Sequence, residues 1–201
     1  MAASAWLASA SVSELAWVLR QTCHALDPPL HERVAEELVE WQRRHGPFRS
    51  TQQFTSTLKE VEVELRHEYP SLKLPSIVKT SLRIYLNREM SQLEAALEAS
   101  FKRLELGGRC CIICFNRWEV AAVRDFLRRH EEPSEQVMSA IPPARLPELY
   151  LLLSSSSVYA VRRVMKPVRP TPEELARNQR AKSTLHVLEK VPRRSHPATG
   201  G

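Results

Sequence analysis

Apolar residues in the first 75 positions recur with the period of an α-helix. They return every three or four positions, which places them along one face of a helix. The predicted helices are residues 11–21, residues 30–44 and a third helix that is capped by Ser50 or Thr51. Gly46 and Pro47 end the second helix, since glycine accommodates the last turn and proline cannot continue it.

A longer helical pattern follows over residues 77–104. Its apolar positions are three, four or seven residues apart, and they are Leu82, Leu86, Leu93, Leu97, Phe101 and Leu104. This spacing predicts one continuous amphipathic helix. Gly107 and Gly108 then end the pattern, because two adjacent glycines favour a turn.

The period of the pattern changes after the two glycines. Residues 109–115 form a continuous apolar run rich in Cys and Ile, which predicts a strand buried on both faces. Alternating segments at residues 158–165 and 183–188 predict two more strands. Helices are predicted at residues 118–129, 146–153 and 172–178, and a loop is predicted at residues 131–143.

These elements predict an α/β chain with three parts. Residues 1–75 form a helical subdomain, residues 76–192 form an α/β region with three strands, and residues 193–201 form a disordered tail. No apolar run is as long as a membrane span, so we expect a soluble protein with no membrane partner.

Composition narrows the class of partner. The formal net charge is +6 and the isoelectric point is about 9.4, which favours an anionic partner such as RNA, with an ordinary solvated surface as the alternative. Only 5 glycines are present. This argues against an enzyme built around a phosphate-cradling loop, because close backbone approach needs glycine.

Three of the four cysteines crowd into the first predicted strand, at Cys110, Cys111 and Cys114. A structural zinc site usually needs two spaced pairs of ligands, and no second pair exists. In a strand, Cys110 and Cys114 share one face and Cys111 points away. We therefore expect these cysteines to act as buried small apolar residues and not to bind a metal. We also expect the protein to occupy a reducing compartment.

Five short motifs follow one another along the chain between Arg83 and Ser183. They are Arg83-Ile84 with Asn87 and Glu89, then Leu106-Gly107-Gly108-Arg109, then Ile113-Cys114-Phe115-Asn116-Arg117-Trp118-Glu119, then Lys166-Pro167-Val168-Arg169-Pro170, and last Asn178-Gln179-Arg180-Ala181-Lys182-Ser183. With these motifs, the chain resembles the C-terminal part of the RsmH/MraW family of rRNA (cytosine-N4) methyltransferases. The matching family patterns are R-I-x-x-N-x-E, L-x-P-G-G-R, I-S-F-H-S-L-E-D, K-P-x-x-P and N-P-R-[AS]-[RK]-S.

The resemblance implies a fold for each part. The helical subdomain is similar to the family's helical insertion. The α/β region is similar to the C-terminal, three-stranded remnant of a class I methyltransferase (Rossmann-like) sheet. The family's Gly-rich turn and ribose-binding acid, which hold S-adenosylmethionine, have no counterpart in the sequence. We therefore expect no cofactor on this chain alone, and S-adenosylmethionine only where the missing half is supplied.

The motifs that remain depart from the family at polar positions. In H-S-L-E-D, the first two residues and the last are replaced by Asn116, Arg117 and Val120, while Glu119 is kept. The segment before Arg83 lacks the family's R-T-F-Q. Loss of polar groups with retention of scaffold positions implies a non-catalytic relative, and no catalytic residue is predicted.

The resemblance also implies which residues matter. The family-motif positions are Arg83, Asn87, Glu89, Gly107, Gly108, Asn116 and Glu119. The residues expected to contact RNA are Lys166, Arg169, Arg177, Asn178, Arg180 and Lys182. Apart from Asn178, they belong to a basic cluster in the last third of the chain that also includes Arg162 and Arg163. Phosphate contacts need only Lys and Arg, and the family's substrate is small-subunit rRNA.

Three functions follow as hypotheses. The first is a non-catalytic factor that binds small-subunit rRNA and partner proteins in ribosome small-subunit assembly, in mitochondria or otherwise in the cytoplasm. The second is the C-terminal portion of an active S-adenosylmethionine-dependent rRNA methyltransferase, completed by another chain or a missing segment. The third is an interaction module without an RNA role. An apolar strand at residues 109–115 also predicts a protein that covers it, either another methyltransferase-like subunit or an assembly factor.

Overall fold

The computed structural model describes residues 3–22, 26–178 and 181–194. The chain divides into two compact units, Met1–Glu89 and Met90–Gly201. The division lies later than the boundary predicted at residue 75, because the helix Leu74–Leu86 buries its apolar face in the core of the first unit.

The first unit consists of helices. In chain order, they are α1 (Ala3–Ser9), α2 (Val12–Thr22), α3 (Pro28–His45), α4 (Thr51–Glu64) and α5 (Leu74–Leu86). Helix α3 begins earlier than predicted, because the Asp27 carboxylate accepts a hydrogen bond from the Leu30 N–H at 3.1 Å. Two prolines occupy its first turn, where no N–H is needed. The predicted stripe of α4 is confirmed by the burial of Phe54, Leu58 and Val61.

The single helix predicted over residues 77–104 is wrong, since two helices occupy this segment. Helix α5 ends at Leu86, and α6 (Glu89–Arg103) begins three residues later. Arg88 between them has a φ of 51°, a left-handed conformation that interrupts a right-handed helix. The apolar stripe runs through both helices, but its two halves are buried in different cores. Leu82 is buried in the first unit, and Phe101 is buried in the second.

The second unit contains a three-stranded sheet, as predicted. Its strands are β1 (Arg109–Cys114), β2 (Tyr159–Arg163) and β3 (Thr184–Pro192), in the order β1-β3-β2. Both pairings are antiparallel. Strand β3 extends beyond its predicted end at residue 188, because its later residues pair with β2.

The other helices of the second unit are α7 (Arg117–His130), α8 (Glu135–Ala140), α9 (Leu146–Leu149) and α10 (Pro172–Arg177). The loop predicted over residues 131–143 is wrong in part, because α8 lies within it. The Ser134 hydroxyl caps α8 by accepting from the Val137 N–H at 3.3 Å. The helix predicted over residues 146–153 is only the short α9, followed by a 3₁₀ turn at Leu151–Ser154.

One face of the sheet carries the core of the second unit. Cys114, Tyr159, Val161 and Leu188 pack there with Leu97 and Phe101 of α6 and with Val123 and Phe126 of α7. The strand β1 is not buried on both faces, as the sequence predicted, because Cys111 and Ile113 point to the opposite face and are exposed. Strand β1 also lies at an edge of the sheet.

The predicted disordered tail is ordered at its first two residues. The Arg193 guanidinium donates to the carbonyl oxygens of Leu153, Ser155 and Ser157, and Arg194 forms an ion pair with Glu132. Residues 195–201 lie outside the described part of the chain. Among the described helices, none is long and apolar enough to cross a bilayer.

Candidate nucleic-acid interface

Asn116 and Glu119 fix the junction between β1 and α7. The Asn116 side-chain oxygen accepts from the N–H groups of Trp118 and Glu119, at 2.9 and 3.0 Å. The Glu119 carboxylate accepts from the N–H groups of Phe115 and Asn116, at 2.5 and 3.4 Å, and from the Asn116 amide at 2.6 Å. This reciprocal capping box satisfies the first N–H groups of α7. The two family-motif residues therefore hold the backbone at the end of β1.

Gly107 and Gly108 shape the entry into β1. Gly107 has a φ of 83°, and its N–H donates to the Lys190 carbonyl at 2.8 Å. A Cβ atom on Gly108 would lie 2.9 Å from the Glu105 carbonyl oxygen. Gly107 is favoured by its positive φ, whereas the space beside Gly108 is filled by the backbone of Glu105 and the side chain of Leu104. The two glycines thus serve the turn that leads into β1.

Arg83, Asn87 and Glu89 come together at the corner between α5 and α6. The Arg83 Nε atom lies 2.8 Å from Glu89 Oε1, and the Asn87 amide donates to the same oxygen at 3.4 Å. Arg83 and Asn87 also line a cleft of the first unit with Arg49 and Lys79. These contacts hold α5 and α6 together at the corner, around Arg88, whose backbone is in the left-handed conformation.

A basic cleft lies at the C-terminal end of β1, with a volume of about 740 Å³. Six cationic side chains line it, namely Arg117, Arg124, Arg163, Lys166, Arg169 and Lys182. None of the described residues that line it is acidic. Like charges collected in one concave surface focus a positive potential there, so the cleft is suited to a polyanion.

The elements that supply these cations are far apart in sequence. Arg117 and Arg124 lie seven residues apart on α7 and so share one helix face. Arg163 ends β2, and a bridge between Val168 and Leu185 holds the segment with Lys166 and Arg169 against β3. The structure thus brings together three of the predicted RNA-binding residues, Lys166, Arg169 and Lys182.

The remaining predicted RNA-binding residues lie elsewhere. Arg177 and Asn178 stand exposed at the end of α10 and are not among the residues that line the cleft. Arg180 lies outside the described residues. The sequence prediction missed Arg117 and Arg124, although their seven-residue spacing on a helix was a usable signal. It placed Arg163 in the basic cluster but not among the residues expected to contact RNA.

His186 forms part of the cleft wall and is almost fully buried. Neither of its ring nitrogens has a hydrogen-bond partner among the described residues. Burial lowers the pKa of His186 below its usual value of 6.5, and the charges of Arg163 and Arg124 lower it further. The cleft therefore holds a neutral imidazole beside guanidinium groups at neutral pH.

The cysteines of β1 are free thiols in the structure. Burial raises the pKa of Cys114 to about 11, and the nearby Glu119 carboxylate adds to the effect. Burial also raises the pKa of Cys110. A thiol held in its protonated form is a poor nucleophile and metal ligand. Among the described residues, no three His, Cys, Asp or Glu side chains are grouped so that they hold a metal.

Comparison with known proteins identifies relatives over nearly the whole sequence. A model of the MraW methylase family matches residues 1–191. The ribosomal RNA small subunit methyltransferase H of Shewanella amazonensis is 30% identical over 192 residues, which cover 94% of this chain and 56% of the relative. Proteins of the same name from Idiomarina loihiensis and Hamiltonella defensa are 29% and 26% identical, with 56% and 55% of their lengths covered.

The chain thus spans about half the length of the curated relatives that it matches. The match includes every motif on which the sequence resemblance was based, and that resemblance is confirmed. The chain belongs to the MraW methylase family.

Proposed function

We propose that this chain binds small-subunit rRNA through the basic cleft, as a non-catalytic member of its family. The observation that carries the proposal is the convergence of six cations, from α7, β2 and the segments before and after α10, on one cleft with no acidic lining residue. Lys and Arg contacts to phosphate supply most of the sequence-independent affinity for RNA. The relatives' name, which specifies small-subunit rRNA, identifies the RNA to be tested.

The experiment replaces Lys166, Arg169 and Lys182 together with Ala. Fluorescence anisotropy with small-subunit rRNA fragments, over a series of salt concentrations, measures the affinity and its salt dependence. Each lost phosphate contact reduces the log–log salt slope by roughly 0.7 to 0.9. The matched control replaces three exposed cations of the same unit that lie outside the cleft, namely Lys102, Arg103 and Arg128. Equal affinities for the two triple variants would refute the proposal.

The non-catalytic role rests on the structural use of the motif residues. Asn116 stands at the family's His position, and both of its side-chain groups are engaged in capping α7. No methyl-transfer step follows from this geometry.

The proposal extends to small-subunit assembly in mitochondria. Its test is whether a tagged chain sediments with small-subunit precursors in fractionated mitochondria, with cytoplasmic precursors as the comparison.

A specific observation favours a second candidate, part of an active enzyme. Strand β1 has an open edge and an uncovered apolar face, and the chain spans about half the length of its relatives. The order β1-β3-β2 with an antiparallel central strand supports the view that this sheet is the C-terminal part of a class I methyltransferase sheet. On this candidate, a methyltransferase-like polypeptide supplies the remaining strands and binds S-adenosylmethionine.

The two candidates are separated by purifying the complex from its native source. Methyl transfer to small-subunit rRNA is then assayed for the complex and for this chain alone. Activity that appears only in the complex and disappears on Ile113→Lys supports the split enzyme, because Ile113 lies on the uncovered face and 57% of it is exposed. RNA binding without methyl transfer in the intact complex supports the non-catalytic factor.

A further inference from the structure

Phe115 is an exposed aromatic residue at the wall of the basic cleft. It follows the last residue of β1, lines the cleft, and is 69% exposed. Leaving a phenylalanine ring in water forgoes the stabilisation that burial of its apolar surface provides. What distinguishes this exposed ring is its place in a cleft lined by six cations, where a ligand can contact both.

The backbone at Phe115 is held firmly, although its ring is exposed. The Phe115 N–H donates to Glu119 Oε2 at 2.5 Å, and the same oxygen accepts from the Asn116 N–H at 3.4 Å. On the other side, Cys114 is buried in the core and pairs with Thr184 of β3. The backbone that carries the ring is thus fixed at the cleft wall, and less conformational entropy is lost when a ligand packs there.

We propose that Phe115 is a stacking platform for an unpaired nucleobase, and that the basic cleft therefore prefers single-stranded RNA. This inference rests on the proposed function, and it adds the class of RNA and the residue that selects it. Proteins that bind single strands combine a positively charged groove, which tracks the backbone, with aromatic rings on which bases stack. In a duplex, the bases are paired and their faces are covered, so a ring at the cleft wall gains nothing from them.

The cleft favours RNA over a protein as the occupant of this ring. An apolar protein surface that packed on Phe115 would bring its neighbours into contact with Arg117, Lys166 and Arg169, and it would have to desolvate them without compensation. A nucleotide places its base on the ring and its phosphate among the cations. The apolar side chains Cys111 and Ile113 of the same strand are not among the residues that line the cleft.

The stacking role predicts a dependence on the aromatic ring. Phe115→Ala should weaken binding of a single-stranded rRNA segment roughly 5- to 150-fold, which corresponds to about 1–3 kcal/mol. Phe115→Trp should keep the affinity, because indole stacks at least as well as phenyl. The affinity for a duplex of the same sequence should be unchanged in both variants.

The control is Ile113→Ala, which removes an exposed apolar side chain from the same strand but outside the cleft. Circular dichroism confirms that each variant is folded. Phe115→Ala with wild-type affinity for the single strand, while the triple cation variant is impaired, would overturn the stacking role and leave the basic cleft intact. An equal loss on single strand and duplex would also overturn it. A wild-type chain that binds neither RNA would refute the proposed function itself.

If Phe115 instead served a protein partner, Phe115→Ala would reduce co-purification of that partner without altering RNA affinity. That result, too, would overturn the inference.

Discussion

Arg162 forms an ion pair with Glu189, whose carboxylate lies 2.9 Å from the Arg162 guanidinium, while the next residue, Arg163, lines the basic cleft. Successive side chains of a strand point to opposite faces, so two adjacent arginines of β2 serve different purposes. Arg163 belongs to the candidate RNA interface, and Arg162 neutralises a nearly buried carboxylate.

The two arginines therefore form a matched pair of variants. Arg163→Ala should weaken RNA binding and reduce the log–log salt slope by roughly 0.7 to 0.9. Arg162→Ala should leave RNA binding unchanged and lower the free energy of unfolding, because Glu189 then loses its cationic partner. Anisotropy and urea denaturation measure the two effects. The same affinity in both variants would contradict the assignment of Arg163 to the cleft.

His186 should make the stability of the chain sensitive to pH. Its pKa in the folded state is lowered below 6.5 by burial and then by Arg163 and Arg124. As the pH falls through 6.5, the unfolded chain binds a proton at this position and the folded chain does not. The contribution of His186 to the free energy of unfolding should therefore fall from pH 6.5 down to the lower folded pKa and then level off.

The measurement compares urea denaturation of the wild type and His186→Gln at pH 7.5 and 5.5. The variant should lose less stability on acidification than the wild type, since other titrating groups are common to both. His67→Gln serves as a control, because His67 is exposed. If His186→Gln and the wild type lose the same amount, then this imidazole does not carry the pH dependence.

Glu119 should contribute to stability rather than to chemistry. Its carboxylate accepts from two backbone N–H groups at the start of α7. Glu119→Ala should lower the free energy of unfolding by about 0.5–2 kcal/mol, the range measured for loss of a helix cap. Glu131→Ala, at the other end of α7, is the control. Denaturation midpoints that did not differ between the two variants would argue against the capping role.

The spacing of apolar residues predicted most helices and strands of this fold, but it did not predict which of their faces are covered. The stripe through Leu82, Leu97 and Phe101 predicted helix correctly and missed the break at Arg88, because an interruption that preserves the stripe leaves no trace in the spacing. The run at β1 predicted a strand correctly. It could not show that Ile113 is exposed, since the pattern records which residues are apolar and not whether a neighbour covers them.

The candidate site was predictable only in part for a related reason. Lys166, Arg169 and Lys182 lie close together in sequence and were identified from their charge. Arg117 and Arg124 join them only through the packing of α7 on the sheet. Tertiary contacts between distant segments are not encoded in local spacing, and so the cleft required the structure.

The left-handed backbone of Arg88 predicts a stabilising substitution. Residues with a Cβ atom have a strain of about 1–2 kcal/mol in this conformation, which glycine does not share. Arg88→Gly should raise the free energy of unfolding by up to about 1 kcal/mol, after the greater entropy of the unfolded glycine is subtracted. Arg103→Gly in the last turn of α6 should have the opposite sign. Destabilisation by Arg88→Gly in urea denaturation would show that the φ of 51° is not maintained in solution.

The open edge of β1 predicts an alternating pattern of amide exchange. The Lys190 N–H donates to the Gly108 carbonyl, and the Val164 N–H donates to the Val187 carbonyl. Even-numbered residues of β3 therefore bond to β1, and odd-numbered residues bond to β2. By the register, Cys110 faces Leu188 and Ile112 faces His186, so the N–H groups of Cys110 and Ile112 are bonded within the sheet.

The N–H groups of Cys111 and Ile113 then point outward from the edge. In the isolated chain, they should exchange much faster than those of Cys110 and Ile112, as residue-resolved NMR would show. Lys, Pro or a bulge usually protects such an edge, and the run from Cys110 to Phe115 contains neither Lys nor Pro. A methyltransferase-like partner that adds a strand there would bond to Cys111 and Ile113 and slow their exchange selectively. Slow exchange at all four amides in the isolated monomer would mean that the edge is already covered, and the proposed partner would lose its docking site.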